Sequence, residues 1–218
     1  MLFRFPHSSW LPACRRLLLL LPALVLAAGL SARSLVKADV QLANNAVLAM
    51  YQDEDANMWI GTYDGLHLYN GKNTFVFRME LDNEFSLCSN IVLEIAPAEK
   101  GYLWVATSLG INKFSLRERR VVESYMQYVD VENIASDSEG NTVLFSGEDF
   151  ITCYRPGRAF FEDVYIPGVR AAEIVAVWSE APRVFCTLGR DGELVRYRLN
   201  DGEGKSLVRV SGRQLSAR

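Results

Sequence analysis

Histidine is nearly absent from this chain: of its 218 residues only His7 and His67 carry an imidazole. With His7 in the N-terminal region, a His-based metal centre or a Ser-His-Asp arrangement would rest on His67 alone, so no metal ligand, catalytic residue or cofactor is expected. Cysteine is scarce as well. Cys14 lies in the N-terminal region, and Cys88, Cys153 and Cys186 form an odd set that does not support a disulfide framework. Each reads as a small apolar residue, with a Cys153–Cys186 bridge left open for an oxidising compartment. No excess of one charge exists either, since 23 basic and 26 acidic residues leave a net charge of −3. That balance gives no sustained field for nucleic acid or anionic lipid, and no nucleic-acid partner is expected. The longest apolar run, Leu17 to Leu30, contains Pro22. It falls short of the roughly 20 residues that cross a bilayer, and no run long enough to span follows it.

What the N-terminus does have is Arg15 and Arg16, then that apolar run, then small residues. This is the pattern of a secretory signal peptide over residues 1–38, with cleavage expected after Ala32 or, better matched by Val36-Lys37-Ala38, after Ala38. A periplasmic location follows. The alternative is an uncleaved anchor, which Pro22 and the short run disfavour.

Downstream, the chain repeats itself. Shifting "NMWIGTYDGLHLY", Asn57 to Tyr69, by 45 residues lays Trp59 on Trp104, Ile60 on Val105, Gly61 on Ala106, Thr62 on Thr107, Gly65 on Gly110, Leu66 on Ile111 and Tyr69 on Phe114. Two weaker copies follow. Gly140, Val143 and Ser146 take the places of Gly101, Trp104 and Thr107. In the fourth copy Val184 is aligned with the Trp, Thr187 with the Thr and Tyr197 with the closing aromatic. The expected repeats are residues 41–85, 86–128, 129–168 and 169–210, with 211–218 as a truncated tail.

Within a repeat, "AVLAMY", "MWIGT", "LHLY" and "TFVFRM" alternate with the turn segments "DEDAN", "YDG" and "NGKN". Such spacing predicts four short antiparallel strands, and helical periodicity is almost missing. A four-stranded sheet recurring every 40 to 45 residues predicts an all-β fold of about four β-propeller blades. An all-β solenoid or sandwich is the alternative.

The first copy resembles the two-component regulator propeller repeat on Asp53, Asp55, Trp59, Ile60, Gly61, Thr62, Gly65, Leu66, Tyr69, Ser86, Leu87, Ser89 and Asn90. It departs from that pattern at Ala56, where the family has Gly, and in copies three and four, which lack the Trp. The resemblance implies the periplasmic sensor region of a hybrid two-component histidine kinase that perceives poly- or oligosaccharide. It further implies a seven-bladed ring, of which this chain would be an N-terminal fragment forming an open arc, and a homodimer in the full-length family. Membrane attachment would come only through a missing downstream span, and the kinase domain would be absent, so no enzyme is expected. A periplasmic scaffold for protein contacts is the alternative, and a propeller lyase or glycosidase a weaker one.

Trp59, Gly61, Thr62, Gly65, Leu66, Trp104, Thr107 and Gly110 are expected to be structural, the tryptophans packing between blades and the glycines serving turns. The Asp53–Asp55 cluster lacks calcium-loop spacing and reads as a solvated turn. Glu162 and Asp163, adjacent on a strand, point to opposite faces and do not converge as an acid–base pair. Ligand contacts are expected on the loops of one face, at Tyr63, Asp64, Ser108 and Leu109.

Overall fold

The computed structural model describes residues 40–218 except 126–130, 147–150, 159, 165, 167, 201–206 and 216–218. The expected signal peptide lies outside the described residues. The described residues form sixteen strands in four antiparallel meanders, each ordered first to fourth strand: four propeller blades, as the repeat predicts. Blade 1 holds β1 (Val47–Gln52), β2 (Met58–Thr62), β3 (Gly65–Tyr69) and β4 (Thr74–Phe77). Blade 2 holds β5 (Val92–Pro97), β6 (Tyr102–Thr107), β7 (Gly110–Ser115) and β8 (Arg120–Tyr125). In blade 3 these are β9 (Val131–Ser136), β10 (Thr142–Ser146), β11 (Ile151–Tyr154) and the short β12 (Glu162–Asp163). Blade 4 holds β13 (Ile174–Ala181), β14 (Val184–Gly189), β15 (Glu193–Leu199) and β16 (Leu207–Gln214). Residues 211–214, expected in a tail, therefore continue the outer strand of the fourth sheet. A 3₁₀ turn, Ala171–Glu173, leads into β13.

The first strands β1, β5, β9 and β13 pack successively side by side and form the inner wall. The Trp-Ile-Gly-Thr strand is thus the second of its blade, one removed from that wall. Each inner strand carries a β-bulge at the same place. Leu48, Leu93, Glu132 and Val175 are the extra residues, each one position after the residue paired with the end of the second strand. A bulge bends its strand and adds twist, and here the same bend recurs in every blade.

Strand alternation puts Trp59 and Met58 on opposite faces, and every blade packs one face on the next blade's other face. Trp59, Leu66 and Leu68 meet Leu103, Val105 and Phe114 of blade 2. Trp104, Ala106 and Ile111 meet Leu144, Tyr154 and Phe161 across the second joint. Val143, Phe145 and Cys153 meet Phe185, Val195 and Tyr197 across the third. Close approach explains Gly61, since a Cβ there would stand 2.6 Å from Val92 Cγ1 and 3.1 Å from the Val92 carbonyl oxygen. Cys153 and Cys186 are buried, lie on different sheets and are not joined by a disulfide.

Register corrects the fourth copy. Tyr51 opposes Trp59, Ala96 opposes Trp104, Ala135 opposes Val143 and Trp178 opposes Cys186. Cys186, not Val184, occupies the Trp position, and Gly189, not Thr187, the Thr position. The expected alignment was two residues out, a slip that keeps every side chain on its own face and so leaves the apolar pattern unchanged.

Candidate functional site

Turns between second and third strands share one face of the arc with the links between blades, and the four expected contact residues lie there. Tyr63 and Asp64 form the two-residue turn of β2–β3, and Ser108 and Leu109 that of β6–β7. Both turns close through a threonine hydroxyl that donates to a carbonyl, Thr62 to Gly65 at 3.2 Å and Thr107 to Gly110 at 2.9 Å. Gly65, at φ 109, has the Phe77 carbonyl 2.5 Å from where a Cβ would stand, so only glycine fits.

The segment Leu87–Ile91 stitches these turns together. Gly65 N–H donates to the Asn90 carbonyl at 2.8 Å, Ser108 N–H to the Ile91 carbonyl at 3.1 Å, and the hydroxyls of Ser89 and Ser108 are 2.8 Å apart. Asp64 is engaged by Arg78, whose Nε and Nη2 donate at 3.0 and 2.9 Å and hold its carboxyl below the usual carboxylate range. Of the four residues Tyr63 and Leu109 present exposed apolar surface, while Asp64 and Ser108 already have protein partners.

The opposite end carries a repeated acid–donor pair that motif reading divided between structure and solvent. Asp53 is not simply a solvated turn residue. Its Oδ1 accepts the N–H of Asp55 at 3.0 Å and of Asn57 at 2.9 Å, and its Oδ2 accepts Asn57 Nδ2 at 3.0 Å and the Trp59 indole N–H at 2.8 Å. Burial pushes this carboxyl up, but the hydrogen bonds outweigh it and hold it below the usual range. Ala56 closes the turn in the left-handed region at φ 62, where repeats two and three have Gly101 and Gly140.

Later copies split the pair. In blade 2 the acid position is Ala98, so the Trp104 indole reaches across the joint and donates to Thr142 Oγ1 of blade 3 at 2.8 Å. Blade 3 keeps the acid, Asp137, but has Val143 in the Trp position. Asp137 Oδ2 accepts the backbone N–H of Arg183 in blade 4 at 2.7 Å, while still bonding Asn141. Blade 4 has Glu180 and Cys186 there, joined by Arg196, whose Nε is 2.6 Å from Glu180. Burial pushes the Cys186 thiol up. Aligning Asp137-Gly140-Asn141 with Asp53-Ala56-Asn57 would have found the third-repeat acid from sequence. The bonds across the joints have no such signal.

Two further buried polar groups stand out. His67 is fully buried, and its Nε2 accepts the Ala43 N–H at 3.0 Å, tying the segment before β1 to the face opposite Trp59. Burial holds its imidazole below the usual value. Lys113, nearly buried at the second joint, pairs with Glu99 and Glu123 and lies 5.0 Å over the Tyr102 ring. Burial works against its charge, yet the two carboxylates hold its pKa raised.

A sequence model, the two component regulator propeller, matches residues 41–64, which cover the approach to β1, β1, β2 and the Tyr63–Asp64 turn. The chain carries a two component regulator propeller repeat. Among solved structures it is similar to PorZ, an essential bacterial surface component of the type-IX secretion system of Porphyromonas gingivalis, at 13% identity and TM-score 0.56. That match covers 76% of this chain and 22% of PorZ. It is also similar to U3-55K, at 12% identity and TM-score 0.58 over 75% of this chain and 51% of that one. The WD40 repeats of RRP9 match at 12% and 0.57 over 75% and 50%. The chain thus spans about half or less of each of these three structures, and at these identities they share its propeller fold. No curated protein sequence matches it. Regulator and WD40 propellers are in general non-catalytic.

Proposed function

We propose that the chain is the extracytoplasmic ligand-sensing propeller of a two-component signalling system, directed to the periplasm by its N-terminal signal sequence and perceiving a poly- or oligosaccharide. The observation that carries this reading is the regulator-propeller repeat at residues 41–64, which extends into the turn bearing Tyr63 and Asp64. In this reading the chain binds and does not turn over its ligand, and output passes to a kinase on the far side of a membrane span. Titration of the purified chain with a panel of neutral and acidic oligosaccharides, followed by calorimetry and thermal shift, tests it. Saturable binding without release of shorter products is the expected result, and cleavage of any panel member overturns it.

A second reading, a periplasmic scaffold for protein contacts, is favoured by the exposed apolar side chains of the fourth sheet, Val175, Trp178, Val208 and Val210. A scaffold would retain a partner from periplasmic extract and show no thermal shift with any oligosaccharide.

A further inference from the structure

At the end of the arc opposite Tyr63 and Asp64, blades 1 and 2 leave a cleft of about 420 Å³ between them. That volume lies within the range of small-molecule sites, roughly 300–1,000 Å³. Tyr51 and Pro97, near the ends of the inner strands β1 and β5, and the side chains of Leu103 and Leu116 supply its apolar lining. Blade 1 adds Glu54 and Asp55 from the turn between β1 and β2. Blade 2 adds Lys100 from the turn between β5 and β6, and Arg117 from the turn between β7 and β8.

The charges of this cleft differ from those of three others among the described residues. Elsewhere the arginines are already engaged: Arg170 and Arg209 by Glu173 and Glu193, Arg155 and Arg183 by Glu162 and Glu139, and Arg78 and Arg120 by Asp64 and Glu118. Here Glu99 pairs with Lys113, and Asp53 accepts from Asn57 and Trp59. The side chains of Glu54, Asp55, Lys100 and Arg117, in contrast, form no ion pair and no hydrogen bond with any described residue. The Tyr51 hydroxyl is unbonded as well. Burial and the carboxylates of Asp53 and Glu54 push its pKa up, so it remains a hydrogen-bond donor.

An acidic wall and a basic wall therefore share one apolar floor, and no salt bridge joins them. A ligand of one sign would be attracted to one wall and repelled by the other, whereas a dipolar ligand gains from both. The floor requires apolar surface between the two charges. An extended dipeptide meets both conditions, since its termini stand roughly 7 Å apart with its side chains between them.

We propose that this cleft binds a short peptide with free termini, its ammonium group against Glu54 and Asp55, its carboxylate against Lys100 and Arg117, and an apolar side chain on Tyr51, Leu103 and Leu116. The site is separate from Tyr63, Asp64, Ser108 and Leu109, and it adds a ligand class that the sensing reading above does not contain.

The test titrates the whole chain with the dipeptide Ala-Phe and with its N-acetyl and C-terminal amide forms, each of which lacks one charge, while amide NMR shifts are followed. Ala-Phe should bind saturably and move the signals of Tyr51 and Leu103. Either cap should weaken binding about fivefold, the upper end for an exposed charge pair. In Glu54→Gln/Asp55→Asn the free dipeptide should weaken by the same factor, and the acetyl form, with no ammonium to place, should bind as it does to the wild type. Lys100→Gln/Arg117→Gln should behave in the same way toward the amide. An unchanged Tm checks that each variant folds. Absence of saturable Ala-Phe binding, equal affinity for free and capped forms, shifts only at other residues, or a variant that weakens free and capped forms alike would overturn the site. Both variants should bind oligosaccharide as the wild type does. A failed peptide titration therefore leaves the sensing reading in place, and absence of oligosaccharide binding leaves this cleft to be decided by the peptide.

Discussion

Removing the hydrogen bond from Trp104 to Thr142 isolates the coupling of blade 2 to blade 3. Both residues are fully buried, and the indole N–H lies 2.8 Å from Thr142 Oγ1. Trp104→Phe deletes that bond, worth about 1 kcal/mol, and leaves a cavity where the larger ring stood against Tyr154 and Phe161, for a total of about 2–3 kcal/mol. Thr142→Val leaves the indole N–H and the Ser136 hydroxyl without their partner and costs about 1–3 kcal/mol. In the double variant the shared bond is counted once, so a double-mutant cycle in urea should return a coupling near 1 kcal/mol. A coupling within the additivity error of about 0.3–0.5 kcal/mol would refute the assignment of the bond as a joint-forming interaction. The matching cycle on Asp53 and Trp59 involves a charged acceptor and should return about 1.5–3 kcal/mol. Ala98→Asp supplies blade 2 with the acid it lacks. In that background the indole has a carboxylate in its own turn, and its coupling to Thr142 should fall.

Ala56→Gly should raise stability by about 0.5–1 kcal/mol, because relief of the left-handed backbone at φ 62 exceeds the added entropy of the unfolded chain; a lower urea midpoint would contradict it. Gly61→Ala should cost about 1–3 kcal/mol through the clash with Val92, and Val92→Ala in the same chain should restore part of it. His67 adds a pH dependence. Its folded pKa lies below the 6.5 of the free group, so the unfolded chain binds the extra proton first. Its contribution is complete above pH 6.5 and is lost as the pH falls from there toward the folded pKa, at no more than about 1.4 kcal/mol per pH unit. His67→Gln, which keeps an acceptor for the Ala43 N–H, should flatten that part of a stability-versus-pH curve measured by urea denaturation; an unchanged slope would assign it to other groups.

The first two blades are readable from sequence because Trp, Gly and Thr recur at a fixed shift, and each has a steric reason to be there. Gly65 clears the Phe77 carbonyl and Thr62 closes the turn, whereas Gly61, which clears Val92, is Ala106 in the second copy. The fourth blade is readable only as a strand pattern, since a two-residue slip moves Cys186 out of the Trp position without moving any side chain to the other face. Bulges at Leu48, Leu93, Glu132 and Val175 leave no mark in the sequence, because the residue type is not kept: leucine in the first two blades gives way to glutamate and then valine. The candidate contact residues were placed on one face by turn chemistry alone. That reasoning could not foresee that Asp64 would be held by Arg78.

Repeated blades face a problem of order, since similar faces could pack in more than one succession. The split acid–donor pairs help to resolve it. The position that opposes the closing aromatic is Met58, Leu103, Thr142 and Phe185 in blades 1 to 4. Only blade 3 offers an acceptor there. Were blade 2 to meet blade 4 instead, the Trp104 indole N–H would be buried against Phe185 with no partner, at about 1–3 kcal/mol, whereas Trp59 would be indifferent because Asp53 satisfies it within its own blade. Loss of the acid at Ala98 therefore does not merely weaken a repeat. It converts an internal bond into one that only the correct neighbour can complete, which is how specificity arises when the wrong pairing leaves a polar group unmet.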